Sequence, residues 1–272
     1  MTVSQSHLPE TSLAHRALPH LRAIAITGAD ARAFLQTQLS SDINALSPER
    51  PQFTTWCKPS GRALTLGWLF DAGDQLVWFV SAENAVLVVQ QLSIYKLRAK
   101  AQITLLPEQV LDAGEFKLND GRSLGLGDAD FAMSDASEAW ILADINNLWP
   151  TLGGNERFLP QMLGVEKLGG LSLKKGCFPG QEVIARVHYK GEVKRTLARY
   201  LETEQTAPGE QTDCERVQSA RDAQYRLHVL VVIKKPAPEQ LRLEIDGKLH
   251  SLLLAMPARF GNMNEPSNDV KS

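Results

Sequence analysis

The chain has 272 residues, 43% of them apolar, which suffices for one or two domains with a substantial core. Its formal charge of −2 gives no global attraction to nucleic acid or anionic membrane. No stretch approaches the roughly 18 apolar residues of a membrane span, and the N-terminal segment lacks the continuous apolar run of a signal peptide. The three cysteines, Cys57, Cys177 and Cys214, show no C-x-x-C spacing. That speaks against a disulfide scaffold or a self-contained zinc site, and the expectation is a cytoplasmic protein with reduced thiols.

Taken in order, residues 1–19 are polar and read as a loose arm. Residues 21–26 read as a strand, followed by a helix capped by Thr27, with Asp30 in its first turn and Ala31, Phe34, Leu35 and Leu39 on its apolar face. Strands at 53–57 and 63–70 flank the turn Lys58-Pro59-Ser60-Gly61, and the turn 71–74 leads into a β-prone run at 75–80. A second helix is expected at 83–95 with Val86, Val89, Gln90 and Leu92–Ile94 inward, then a strand at 102–106 that stops at Pro107. This order of elements is close to a ferredoxin-like, split βαβ arrangement in an α+β fold.

The pattern weakens between 107 and 135. Residues 139–145 read as a strand and 160–168 as a short helix. Strands at 196–201 and 225–233 bracket a polar loop over 202–213. Asp246-Gly247 between two apolar runs predicts a type I′ hairpin within a small all-β region at 193–260, with a disordered tail over 261–272.

The stretch Lys174-Lys175-Gly176-Cys177-Phe178-Pro179-Gly180-Gln181-Glu182 places a thiol between glycines, after paired lysines and before an expected helix starting at Pro179. Glu182 and Arg186 fall one turn apart on the polar side of that helix. Free helix N–H groups and two ammonium groups would both favour thiolate, suiting a nucleophile, a metal or cluster ligand, or an anion-docking point. A lone cysteine without this context reads as a small buried hydrophobe, and Cys57 is so read, with a two-thiol site beside Cys177 as the other option. Residues 174–199 carry a local charge of +5 against −7 for the remainder, a basic island suited to an anionic ligand or partner. No aromatic interleaving accompanies it, so direct tRNA binding is not expected. The histidines lack H-x-x-H spacing, and no P-loop, G-x-G-x-x-G or G-x-S-x-G string occurs.

The string K-G-C-F-x-G-Q-E resembles the signature of the YgfZ family of folate-binding proteins, which share the fold of the glycine-cleavage aminomethyltransferase. The blocks Ile26-Thr27-Gly28-Ala29-Asp30, Phe34 to Asp42, Cys57-Lys58-Pro59-Ser60-Gly61-Arg62, Phe158-Leu159-Pro160-Gln161 and Leu168-Gly169-Gly170 are similar to family segments in family order. The family's first folate-site tryptophan falls at Leu21 here, and the second at Trp140. Asn147-Leu148-Trp149-Pro150 replaces a glycine-containing step, and residues 107–135 are short for the family.

The resemblance implies an aminomethyltransferase-like folate-binding region over 20–192, its ferredoxin-like part at about 20–106 and its motif-bearing part at about 107–192. A small β-barrel-like domain would follow at 193–260. It also implies tetrahydrofolate or a derivative as ligand and a role in assembling or repairing iron–sulfur enzymes, including those that modify tRNA. Cys177 would be the reactive thiol or a transient cluster ligand, its pKa lowered by Lys175. Gly176 and Gly180 would allow close backbone approach, Phe178 would belong to the motif, and Gln181 and Glu182 would fix the turn. Trp140, Gln161 and Arg186 would contact folate, Arg186 through the glutamate tail. Iron–sulfur proteins or their assembly machinery would be partners, with no membrane. A folate-dependent one-carbon transferase and a non-catalytic interaction module are the other readings.

Overall fold

A computed structural model describes residues 16–128, 134–154, 157–204 and 213–256. Residues 1–15 of the expected N-terminal arm, the C-terminal tail and most of the loop over 202–213 lie outside these residues, whereas residues 16–19 of that arm are not loose but form a short paired strand and a turn with Leu18 fully buried. The elements in order are β1 (Arg16–Ala17), β2 (Leu21–Thr27), α1 (Ala31–Gln38), β3 (Gln52–Cys57), β4 (Ala63–Asp71), β5 (Leu76–Ser81), α2 (Ala82–Tyr95) and β6 (Gln102–Leu105). There follow β7 (Gln109–Lys117), β8 (Ser123–Gly127), β9 (Ser134–Asp135), α3 (Ser137–Asn147) and α4 (Gln181–Lys190). The chain closes with β10 (Arg195–Glu202), β11 (Cys214–Arg221), β12 (Leu227–Lys234), β13 (Gln240–Ile245) and β14 (Lys248–Ala255).

Three sheets result, in a mixed α+β fold. The first has strand order β3-β4-β5-β2-β6, with every pair antiparallel. Its Ile24, Ile26, Trp78 and Val80 side chains pack against Phe34 and Leu35 of α1 and Val88 and Leu92 of α2. Its other face, through Phe70, Val77 and Phe79, meets Val110, Phe116 and Leu124 of the second sheet, ordered β8-β7-β1-β9. The third sheet, β11-β12-β10-β14-β13, is antiparallel throughout. Its Val232 joins Phe53, Leu66 and Phe158, and its Ala220 and Leu230 pack on Ile145 of α3. Asp246 and Gly247 both have positive φ, as the expected I′ hairpin between β13 and β14 demands.

Several expectations need correction. Asp30, not Thr27, stands at the N-cap of α1; its carboxylate accepts from the Lys100 N–H at 2.7 Å, joining the helix start to the approach to β6. In α2 the buried positions are Asn84, Ala85, Val88 and Leu92, while Val86 and Ile94 face outward. Asn84 took a core position because its amide donates to the Leu64 and Leu152 carbonyls. Residues 139–145 form most of α3 rather than a strand, burying Trp140, Asp144 and Ile145 at helical spacing. The expected helix at 160–168 is a run of turns, broken by Gly164 and Gly169 at positive φ. The edge strand β11 went unrecognised because its sequence, CERVQSAR, is polar.

His20 sits at the junction of the first two sheets. Its Nδ1 lies 2.8 Å from Ser137 Oγ, and its Nε2 is buried without a partner among the described residues. Burial pushes the imidazole down to about 4, against the opposing pull of Asp135. The unfolded chain therefore takes up the proton near the ordinary 6.5 while the folded chain does not. Stability from this site is full above pH 6.5 and is lost as pH falls toward 4. Urea unfolding at pH 7 and pH 4.5 should show a loss of roughly 2–3 kcal/mol that His20→Gln largely abolishes; an unchanged slope in the variant would place the acid sensitivity elsewhere.

Candidate functional site

The motif loop is held by a lysine turned inward. Lys175 Nζ donates to the carbonyls of Gln36 (2.6 Å), Leu39 (2.5 Å) and Ser41 (2.9 Å). These carbonyls lie at and just beyond the C-terminus of α1, where oxygens lack intrahelical partners and a cation is favoured. The ammonium also lies 5.2 Å from the Phe178 ring centroid. Burial lowers its pKa to about 8, with Asp42 pulling the other way. With three N–H groups on three carbonyls, Lys175 has none to offer a thiolate. The expected role as activator of Cys177 gives way to that of a clamp.

Cys177 itself is exposed, and its thiol makes no hydrogen bond among the described residues. The helix after it begins at Gln181, with Gly180 as its left-handed N-cap, so Pro179 precedes the helix instead of opening it. Cys57 is buried with Phe178 and Ile184, and burial pushes its thiol up to about 12. It is a packing residue for the motif.

The glycines differ sharply. Gly180 has φ +80°, and a Cβ there would come within 2.5 Å of the Lys58 carbonyl oxygen and 2.6 Å of Gly61 Cα. Gly61 faces back, its own Cβ position 2.9 Å from Val183 Cβ. The turn after β3 and the start of α4 thus dock glycine to glycine, a contact that buries Phe178 and Ile184 against Cys57. Gly176, by contrast, has open space where a Cβ would stand, so the expected close approach applies to Gly180 alone. Gln181 contributes its backbone N–H, to the Phe178 carbonyl. The side chains of Gln181 and Glu182 make no hydrogen bond among the described residues, so they do not fix the turn.

Trp140 is closed off. The residue is 6% exposed, and the Arg122 guanidinium lies 4.2 Å from its ring centroid. Arg122 is fixed by Asp120 at 2.6 Å and Asp144 at 2.7 Å. Burial raises the Asp144 carboxyl to about 7 despite that guanidinium. The space beside Trp140, lined also by Leu21, is about 20 Å³, room for one water and not for a pterin.

A larger cleft of about 300 Å³ lies across Phe53 and Trp68, which wall both spaces. Trp68 is half-buried and held edge-on by Phe53 (5.4 Å) and Trp149 (4.7 Å). The cleft's polar lining includes Asp42, Arg50, Gln52 and Asn119. Gln52 Nε2 donates to the Asp42 carbonyl at 2.7 Å, while its Oε1 is buried without a partner among the described residues. Leu168, Gly169 and Ser172 of the segment leading to Cys177 form another wall. Ser172 N–H donates to the Ser40 carbonyl, and Ser40 Oγ to the Gly170 carbonyl, pinning that wall to the chain after α1. Trp68, Gln52 and Arg50 carried no motif and were missed in the sequence; the pairing of an aromatic with an orphaned amide emerges only when β3 and β4 are side by side.

The remaining expected contacts scatter. Gln161 Nε2 donates to the Ile184 carbonyl at 2.8 Å and lines a different groove. Arg186 is exposed, without an ion pair among the described residues. The basic island is partly neutralised, because Arg195 pairs with Asp213 and Glu215, while Arg199 is spent on the Met256 carbonyl. Lys174, Arg186, Lys190 and Lys194 keep solvated charges. Among the described residues, no group of three or more His, Cys, Asp or Glu side chains could hold a metal, and no helix is long and apolar enough to cross a membrane.

This architecture is that of the aminomethyltransferase fold. The glycine cleavage system aminomethyltransferase T of Bartonella henselae superposes with a TM-score of 0.68 over 89% of this chain and 85% of that one, at 13% identity. In sequence, the chain is similar to the tRNA-modifying protein YgfZ of Cronobacter sakazakii, 27% identical over 217 residues that cover 63% of this chain and 66% of that protein. YgfZ of Yersinia enterocolitica is 26% identical over 258 residues, covering 78% and 77%. No protein-family model matches the chain. The YgfZ resemblance read from the motif therefore extends over most of the chain.

The two motif glycines give a sharp test. Gly180→Ala should cost at least ~2 kcal/mol in urea unfolding, from a backbone clash at positive φ. Gly176→Ala should stay within about 0.5 kcal/mol of wild type. Equal costs would mean that the docking of the two turns is not what the motif glycine serves.

Proposed function

We propose that the protein binds a reduced folate in the Trp68 cleft and presents the Cys177 thiol beside it, in support of iron–sulfur enzymes that include tRNA-modifying ones. Two observations carry this reading: a pterin-sized cleft walled in part by the segment that leads to the motif, and an exposed cysteine two residues after the lysine that ties this segment to the end of α1. The cleft fits the ligand class: its volume falls at the lower end for small-molecule sites, and one aromatic wall adjoins a few polar groups. The orphaned Gln52 Oε1 and the Asp42 carboxylate would accept from the amino and N–H edge of a pterin. Phe53 and Trp68 would hold its ring, and Arg50 would meet the glutamate carboxylates. When bound, a reduced folate supplies one-carbon chemistry at its N5 and N10 nitrogens. Cys177, solvated and clamped, supplies the thiol for a protein partner or a transient cluster. We place this activity in the cytoplasm.

The same reading takes residues 20–192 as the folate-binding region and 193–260 as a small β domain packed on it. The order β6-β2-β5-β4 supports a split βαβ core, with β3 as an added edge strand. The relatives' description as tRNA-modifying proteins supports the link to tRNA modification.

Calorimetric titration with 5-formyltetrahydrofolate should give saturable binding that Arg50→Gln and Gln52→Leu each weaken about tenfold, roughly the worth of one charged or buried hydrogen bond. Trp140→Phe should bind like wild type. Loss of binding in Trp140→Phe with no effect of the other two would return the ligand to the tryptophan on α3.

Cys177→Ala should leave folding and folate affinity unchanged, since an exposed sulfur fills no core volume. Cells that lack the native protein and carry this variant should nevertheless show low iron–sulfur enzyme activity and low tRNA methylthiolation. Full rescue at wild-type protein levels would remove the thiol from the function, and turnover of a one-carbon donor by the purified protein would favour a transferase.

A further inference from the structure

A second cavity, of about 470 Å³, lies between the turns that precede the motif and the start of β10. It is separate from the Trp68 cleft except that Leu168 borders both. Its floor is apolar, formed by Leu148, Leu168, Val193 and Leu197. Leu148 is held there at φ +56°, a left-handed conformation that a leucine adopts only at a cost.

Gln161 adds a directional polar group. Its Nε2 is committed to the Ile184 carbonyl, which fixes the amide's orientation and leaves Oε1 as an acceptor, buried and without a partner among the described residues. On the rim stand Lys167 and Lys235, both exposed and without an ion pair among the described residues. Glu166, the acid on that rim, is engaged by His188 Nδ1 at 2.7 Å.

The geometry points to a second ligand site in this cavity, one that takes a planar amphipathic anion bearing a single N–H or O–H donor. The apolar floor covers the ring body, Gln161 Oε1 accepts from the donor, and Lys167 and Lys235 face the anionic head. The volume lies within the range of small-molecule sites. The site is independent of folate binding at Trp68.

The probe is 1-anilinonaphthalene-8-sulfonate, which joins an apolar ring body, one N–H and one sulfonate. The full-length protein should bind it with saturable fluorescence enhancement at one equivalent. Lys167→Gln combined with Lys235→Gln should raise Kd about tenfold, through two exposed charge contacts. Val193→Trp, which fills the floor, should abolish the signal. In both variants 5-formyltetrahydrofolate affinity should equal wild type, which separates failure here from failure of the folate reading. Circular dichroism checks folding; should Val193→Trp unfold, the surface double variant decides alone. Wild-type probe affinity in the double variant, non-saturating fluorescence, or no binding at millimolar probe would each overturn the proposal.

Discussion

The three hydrogen bonds from Lys175 to the end of α1 are the constraint on which the site depends. A helix C-terminus leaves carbonyls that must find donors, and here the donor is a side chain from far along the chain. That arrangement ties the motif loop to the first sheet's helical layer. Asp42, immediately beyond the last of these carbonyls, lines the Trp68 cleft, as do Leu168, Gly169 and Ser172 on the way to the motif. This half-buried ammonium thereby acts with the Ser172–Ser40 and Ser40–Gly170 hydrogen bonds to join two stretches that lie far apart in the chain. Its lowered pKa reflects the burial that this demands, with Asp42 offsetting part of the cost.

On the far side of the motif the closure is steric. Gly61 and Gly180 approach so closely that neither position has room for a Cβ, and the contact seals Cys57, Phe178 and Ile184 into a small cluster. Cys177 stays outside that cluster. The two cysteines nearest the motif thus diverge: burial makes Cys57 resistant to ionisation, while Cys177 remains in solvent. The loop is thus tied on both sides of the cysteine and leaves the thiol in solvent between the two attachments.

The elements of the first sheet were legible because their apolar periodicity is strong and their turns carry glycine at positive φ, as at Gly61 and Gly73. The Asp246-Gly247 hairpin was legible for the same reason. Residues 139–145 misled because Trp, Ile, Leu and Ala pack into a continuous apolar run, which periodicity alone cannot assign to helix or strand. The motif announced the importance of Lys175 and Gly180 but not their tasks. Charge beside a thiol suggested activation, whereas the competing demand of unpartnered carbonyls determined where the ammonium went. Trp140 drew attention by its place in the family pattern, yet Arg122, some way off in sequence, covers its ring. The Trp68 cleft could not be read from local sequence, since its walls come from the α1–β3 segment, β3, β4, the β7–β8 connection and the pre-motif turns.

A structure of the protein with a reduced folate bound tests the central claim most directly. The account predicts the pterin against Phe53 and Trp68, with the Gln52 carboxamide oxygen accepting from its N–H edge, Arg50 at the glutamate tail, and Lys175 still on its three carbonyls. A pterin stacked on Trp140 after displacement of Arg122, or a motif loop released from the end of α1, would contradict it.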